Sequence, residues 1–245
     1  DMPKNIDVRA AGTAMRFMTA FLSCRKGEHT LTGTQRMRQR PIKPLVDALR
    51  YLGADIEYEA KEGYPPIRIY GKPLYGGRVE MPGSISSQFI SALLMIGPTL
   101  KKGLELKITG KIASRPYIDL TLCMMREYGA VAEWTDIDTI SVKPGQYNVG
   151  PNSIENDWSA ASYWYEMVAL ARDTTATVEL LGLTPDSLQG DAAITALFER
   201  LGVRTTFTDR GLRLDRLPGH RLPERFTCDC VLIPDMAQTL VVTCA

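Results

Sequence analysis

Three stretches of this sequence follow one grammar: a strand, a glycine, a short polar loop, an amphipathic helix, a closing glycine and two further strands. The first runs from Leu31-Thr32-Gly33 to Leu52-Gly53-Ala54. The second runs from Ile108-Thr109-Gly110 to Tyr128-Gly129-Ala130, and the third from Leu180-Leu181-Gly182 to Leu201-Gly202-Val203. The opening and closing glycines stand about 20 residues apart each time, so the chain is built of repeated supersecondary units. Leu49/Leu52, Met125/Tyr128 and Phe198/Leu201 occupy the same offsets before the closing glycine, three apart on one helical face. That glycine is the expected left-handed terminator of each helix. The strand pairs predicted to follow are 55–58 with 67–70, 131–134 with 140–142, and 204–207 with 212–214.

A second kind of helix recurs between these units. Its four starts are Gly12-Thr13-Ala14, Gly83-Ser84-Ile85-Ser86-Ser87, Asp157-Trp158-Ser159 and Asp235-Met236-Ala237, about 75 residues apart. The run Phe89 to Ile96 is apolar nearly all round, which predicts a helix buried on every side. The expected fold class is therefore α/β (α+β): repeated βαβαββ units with buried inner helices and outer sheets. Pro144, Gly145, Gly150 and Pro151 mark a boundary within 145–152. Two units are expected in residues 1–150, and one unit plus the start of another in 151–245. The helix expected from Met236 to Ala245 meets no glycine or proline stop, so the chain is expected to be a piece of a longer protein.

Composition narrows the function classes. The 245 residues include 29 Lys plus Arg against 28 Asp plus Glu, a net charge of +1, which argues against a general polyanion binder. The five cysteines lack a compact spacing, and with only two histidines in the chain zinc is not expected. Cys228 and Cys230 would share one face of a strand, and the cysteines are expected to be buried or half-buried. The opening Asp1-Met2-Pro3-Lys4-Asn5 is polar and no apolar run reaches membrane-spanning length, so a cytoplasmic location without membrane association is expected.

Helix starts rich in glycine and hydroxyl side chains are ready anion sites, because unpaired N–H groups and the positive dipole end face outward. Gly12-Thr13, with Arg16 one turn on, and Ser86-Ser87-Gln88 fit that description. Taken singly, capping is the commoner role for such residues, as it is for Asp235. Among Arg36, Arg38 and Arg40, the last stands out: Pro41 fits a first helical turn and would fix where Arg40 sits.

In this order, these motifs resemble the 5-enolpyruvylshikimate-3-phosphate synthase family. The resemblance is carried by Ala11-Gly12-Thr13-Ala14-Met15-Arg16, Leu31-Thr32-Gly33 through Arg36-Met37 to Arg40-Pro41, Leu45 to Ala54, and Gly83 to Phe89. Ser114-Arg115-Pro116-Tyr117-Ile118-Asp119, Asp157 to Tyr163, Gly190-Asp191 and Ile233-Pro234-Asp235 complete it. It implies two domains, built from six repeats in the whole protein, with a cleft site between them. It also implies transfer of the enolpyruvyl group of phosphoenolpyruvate to the 5-hydroxyl of shikimate 3-phosphate. By that likeness Ser86, Ser87, Gln88, Ser114 and Tyr117 would hold shikimate 3-phosphate. Gly12 with its neighbour Thr13, Arg40 and Gln88 would face phosphoenolpyruvate, and Asp235 would accept the proton. No metal or organic cofactor and no nucleic acid are expected, and the whole protein would be a monomer. Two departures stand out. Ala10 replaces the usual Asn, which would loosen the loop beside phosphoenolpyruvate, and Phe17 replaces a frequent Pro. The family's N-terminal Lys-Ser and C-terminal charged residues would lie outside the chain. The competing readings are a UDP-N-acetylglucosamine enolpyruvyl transferase, whose usual loop cysteine is missing from 36–40, and a non-catalytic RNA or polyanion module using Arg36, Arg38, Arg40 and Lys43.

Overall fold

The computed structural model describes residues 4–148, 150 and 153–245. The polar opening Asp1-Met2-Pro3, and Val149, Pro151 and Asn152 of the expected boundary, lie outside the described residues. Chain contacts divide the molecule into two compact units, Asp1–Gly150 and Pro151–Ala245.

The first unit contains the same βαβαββ pattern twice. Its first copy comprises β1 (Lys4–Asp7), α1 (Gly12–Ser23), β2 (Gly27–Thr32), α2 (Lys43–Tyr51), β3 (Asp55–Tyr58) and β4 (Ile67–Gly71). The second comprises β5 (Gly77–Pro82), α3 (Ser87–Ile96), β6 (Leu104–Thr109), α4 (Arg115–Glu127), β7 (Ala132–Asp136) and β8 (Thr139–Val142). The sheets have matching orders, β1-β2-β4-β3 and β5-β6-β8-β7. In each, the strand before the inner helix pairs in parallel with the strand after it, and the remaining pairs are antiparallel. That parallel pair is the crossover which forces a helix across the sheet face.

Burial follows the sequence periodicity. In α3, Phe89, Ile90, Ala92, Leu93, Leu94 and Ile96 are buried, and the one polar residue among them, Ser91, shares a hydroxyl hydrogen bond of 2.7 Å with Thr121 of α4. Helix α3 packs between α1 and α4, so the inner helices form the centre of one continuous core. Leu49, Leu52 and Met125 point into that core as their offsets require. The closing glycines Gly53, Gly129 and Gly202 have φ of 101°, 85° and 84°, the left-handed stop expected of them.

Two non-glycine residues, Arg9 and Ser114, also sit in the left-handed region, at φ 55° and 57°. Both lie in loops that lead into helices. Arg9 is held there by its neighbours, since its carbonyl accepts from Thr34 N at 3.0 Å and its N–H donates to Asp7 at 2.8 Å. Arg9→Gly removes the Cβ penalty but loosens the unfolded chain, so we expect a net stabilisation below about 1 kcal/mol. Thermal denaturation of the two proteins checks it. The turn at Ala10 is closed by Ala11 N to the Val8 carbonyl at 3.0 Å, a backbone bond that needs no asparagine side chain.

The second unit comprises α5 (Trp158–Leu170), β9 (Thr177–Leu181), α6 (Ile194–Glu199), β10 (Val203–Thr208), β11 (Gly211–Arg216) and α7 (Ala237–Thr243). Its antiparallel sheet has the order β10-β11-β9. Trp158, Tyr165 and Phe198 fill its core, with Tyr165 edge-on to Phe198 at 5.4 Å. The strand expected to carry Cys228 and Cys230 on one face does not form. Residues 226–232 are irregular and belong to none of the sheets. Cys228 and Cys230 therefore lie in irregular chain with their sulfurs 3.9 Å apart, and Cys228 and Cys244 are exposed rather than buried. The helix expected from Met236 begins as a 3-10 turn at Pro234–Met236 before α7. No described helix is long and apolar enough to cross a membrane.

Candidate anion-binding site

Helix α1 starts at Gly12 with no side-chain cap and no acidic residue in its first turn, which leaves its N–H groups and positive dipole end available. Two guanidiniums close over that turn. A Cβ on Gly12 would collide with Nη1 of Arg40 and stand 2.6 Å from Nη1 of Arg16, so glycine is what admits them. Arg16 Nη1 donates to the Gly12 carbonyl at 2.8 Å, while its Nε is buried without a hydrogen-bond partner. Arg16 is only 5% exposed, and its guanidinium lies 5.3 Å over the ring of Phe89. Burial, and then the neighbouring Arg40 charge, pull its pKa down to about 10. Arg16 therefore remains cationic at neutral pH, in a position that costs free energy until an anion compensates it.

Arg40 reaches this place by a different route from the one its neighbour Pro41 suggested. Pro41 lies outside any helix: α2 begins at Lys43, with Pro44 in its first turn. A 3-10 turn at Met37–Gln39 ends on Arg40, which is extended at φ −90°, ψ 124°. Extended backbone is what a residue before proline prefers, so Pro41 still fixes Arg40, but by restricting ψ rather than by starting a helix.

The contact between Arg16 and Phe89 brings the head of α1 to the head of α3, since Phe89 directly follows Gln88. Ser86 caps α3, accepting from Gln88 N at a long 3.4 Å, and the helix begins at Ser87, four residues after Gly83. Ser87 and Gln88 are half-buried and Ser86 is exposed. Gly83 links this loop to the next: its N–H donates to the Thr109 carbonyl at 2.7 Å, and its carbonyl accepts from Ala113 N at 2.9 Å. Beside Ala113 stands Ser114, the left-handed residue at the N-cap of α4, whose side chain makes no cap bond. Its carbonyl accepts from Tyr117 N at 3.1 Å. A backbone held outside its preferred region and a hydroxyl not used for capping are both marks of a site.

Gly12 with Arg40, Ser86 with Ser87 and Gln88, and Ser114 with Tyr117 thus stand at three helix heads of the first unit, the first two heads linked through Arg16 and Phe89 and the last two through Gly83 and Ala113. Thr13 is on the first turn of α1 with its side chain exposed. Arg16, which the sequence marks one turn on from Gly12 but to which the family resemblance gives no ligand role, stands on the same face at i+4. Asp235 lies in the second unit, exposed in the 3-10 turn ahead of α7. It lies inside the 3-10 turn, between the N-cap positions Ile233 and Met236. The head of α5 differs from those of α1 and α3: Asp157 accepts from Ser159 N at 2.7 Å and Ala160 N at 3.3 Å. A carboxylate already fills that head, as ordinary capping requires.

The chain matches along residues 1–245 the family model described as EPSP synthase (3-phosphoshikimate 1-carboxyvinyltransferase). It is 55% identical over 240 residues to the 3-phosphoshikimate 1-carboxyvinyltransferase of Bacteroides fragilis, covering 98% of this chain and 58% of that protein. The enzyme of the same name from Tolumonas auensis is 39% identical over 242 residues, covering 97% and 55%. Among solved structures, EPSP synthase from Acinetobacter baumannii superposes with a TM-score of 0.72 at 23% identity, over 98% of this chain and 54% of that one. The enolpyruvyl transferase NikO from Streptomyces tendae gives 0.58 at 17% identity, over 82% and 46%. These two share its mixed α/β fold, and the chain spans a little over half the length of each curated relative. By the family model and its curated relatives, the chain belongs to the EPSP synthase family.

Proposed function

We propose that these residues serve the transfer of an enolpyruvyl group from phosphoenolpyruvate to the 5-hydroxyl of shikimate 3-phosphate, with release of phosphate. The observation that carries the proposal is the buried Arg16 Nε, unpartnered beside Arg40 at an open helix head. Such a pair of cations suits a small, multiply charged anion. In this reading Gly12, Thr13, Arg16, Arg40 and Gln88 receive phosphoenolpyruvate, and Ser86, Ser87, Gln88, Ser114 and Tyr117 receive shikimate 3-phosphate.

The proposed chemistry has two steps. The 5-hydroxyl adds to C2 of phosphoenolpyruvate, forming a C–O bond as the C2=C3 π bond breaks, while its proton passes to Asp235 and C3 takes a proton from solvent. The tetrahedral adduct then expels phosphate as C3 loses a proton, which restores the enol ether. The guanidiniums and helix N–H groups stabilise the carboxylate and phosphate charges through both steps. Residues 1–150 and 151–245 would be parts of the two domains of such an enzyme, a cytoplasmic monomer acting on small molecules. Since the chain spans 58% of its Bacteroides relative, full turnover is expected to need the remaining length.

Calorimetric titration of the chain with shikimate 3-phosphate tests the reading. Saturable binding is expected, with shikimate itself far weaker because it lacks the phosphate. Binding of RNA in place of either, steeply weakened by salt, would favour the polyanion module instead.

A further inference from the structure

Ser114 must be held in a backbone conformation that costs free energy: its own carbonyl is bonded only within its turn, by Tyr117 N, while the Ala113 N–H ahead of it is tied to the Gly83 carbonyl in the loop before α3. The next residue supplies a second anchor, from the other side. The Arg115 guanidinium lies 4.1 Å over the ring of Trp134 in β7, and its Nε is 3.8 Å from Asp119, one turn along α4. Asp119 in turn accepts the indole N–H of Trp134 at 2.8 Å. Arg115 Nη1 also reaches the Ile137 carbonyl, in the turn between β7 and β8, at 3.4 Å. The first turn of α4 is thereby fastened to the edge of its own sheet by a stacked cation, a shared carboxylate and a backbone carbonyl. A cation stacked on tryptophan and also paired with a carboxylate has a defined direction, unlike an ordinary solvated arginine.

We propose that Arg115, through Trp134 and Asp119, is a positioning residue that holds Ser114 left-handed so that Ser114 and Tyr117 meet the phosphate ester together. This rests on the reading above in which those two residues bind shikimate 3-phosphate. Arg115 itself need not touch the ligand. Lysine in its place keeps a cation for Trp134 and Asp119 but loses the planar fork, so it restores the turn partially. Alanine frees the turn.

Two measurements on the whole chain decide the matter. The first is calorimetric affinity for shikimate 3-phosphate in wild type, Arg115→Ala, Arg115→Lys and Trp134→Phe. The second is hydrogen exchange at the Ala113 and Tyr117 amides in the same proteins without ligand. Arg115→Ala is expected to weaken binding about tenfold and to speed exchange at both amides, with Arg115→Lys between it and wild type. Trp134→Phe keeps the stack, loses the bond to Asp119, and should fall nearer wild type. Wild-type binding together with unchanged affinity in Arg115→Ala overturns the proposal and leaves the substrate assignment standing. If the wild type does not bind, the substrate assignment fails, and the exchange rates still judge the anchor: unchanged protection in Arg115→Ala overturns it.

Discussion

Gly12→Ala is expected to weaken binding of phosphoenolpyruvate about a hundredfold while leaving the fold intact. The added methyl would collide with Nη1 of Arg40 and stand 2.6 Å from Nη1 of Arg16. Both obstacles are the ends of long side chains, so the protein relieves the clash by swinging the guanidiniums away rather than by moving backbone. Each displaced guanidinium gives up a charge-assisted bond to the anion, worth about 1.5–3 kcal/mol. Losing even part of both gives a factor of about a hundred in affinity. Helix α1 itself tolerates alanine well. Calorimetry gives the affinity and thermal denaturation gives the control. A melting temperature that falls together with affinity would show that the glycine serves packing and not the ligand.

The second large effect concerns the other unit. Glu155 lies just ahead of α5 and gathers five donors: Trp158 Nε1 at 2.9 Å, Thr184 N and Oγ1 at 2.9 Å, Ser187 Oγ at 2.6 Å and Gln189 Nε2 at 3.2 Å. Together they tie the entry of α5 to the loop after β9. Partial burial alone would raise its pKa, but the bonds from Ser187, Trp158 and Thr184 outweigh burial and hold it below its ordinary value of 4.5. Glu155→Ala leaves the N–H of the fully buried Trp158 without its acceptor and is expected to cost about 2–4 kcal/mol. The sign with pH follows from the depressed pKa. The carboxylate's contribution is fully present above the unfolded value and is lost as pH falls through the folded one. Acid denaturation of Glu155→Gln should therefore depend less on pH below about 4.5 than that of the wild type. Equal acid sensitivity in the two proteins would show that another group sets it.

The sequence made legible whatever is decided locally. Repeated glycines announced the ends of α2, α4 and α6, and the unbroken apolar run from Phe89 announced the buried α3. Hydroxyl and glycine clusters marked the heads of α1 and α3, and Ser114 and Tyr117 entered the candidate set through family resemblance. What escaped depends on partners distant in the chain. The strand expected to carry Cys228 and Cys230 has suitable residues, but strand pairing is non-local, and the segment joins no sheet. Pro41 looked like a helix start because its effect on the preceding residue and its use at a first helical turn leave the same sequence signature. Arg16 is legible as a cation one turn on from Gly12, but not as a buried one. Only Phe89 and Arg40, brought in by packing, make it a buried cation with an unused donor. The left-handed backbone of Ser114 leaves no trace in composition, since serine seldom adopts it.

The central claim is that the heads of α1, α3 and α4 in the first unit form one anion site. Amide-resolved NMR of the chain, titrated first with shikimate 3-phosphate and then with phosphoenolpyruvate, addresses it most directly. Shifts confined to Ser86, Ser87, Gln88, Ser114 and Tyr117 in the first step, and to Gly12, Thr13, Arg16, Arg40 and Gln88 in the second, are the predicted result. Shifts spread over unrelated surfaces, or none at these amides at saturating ligand, would contradict it.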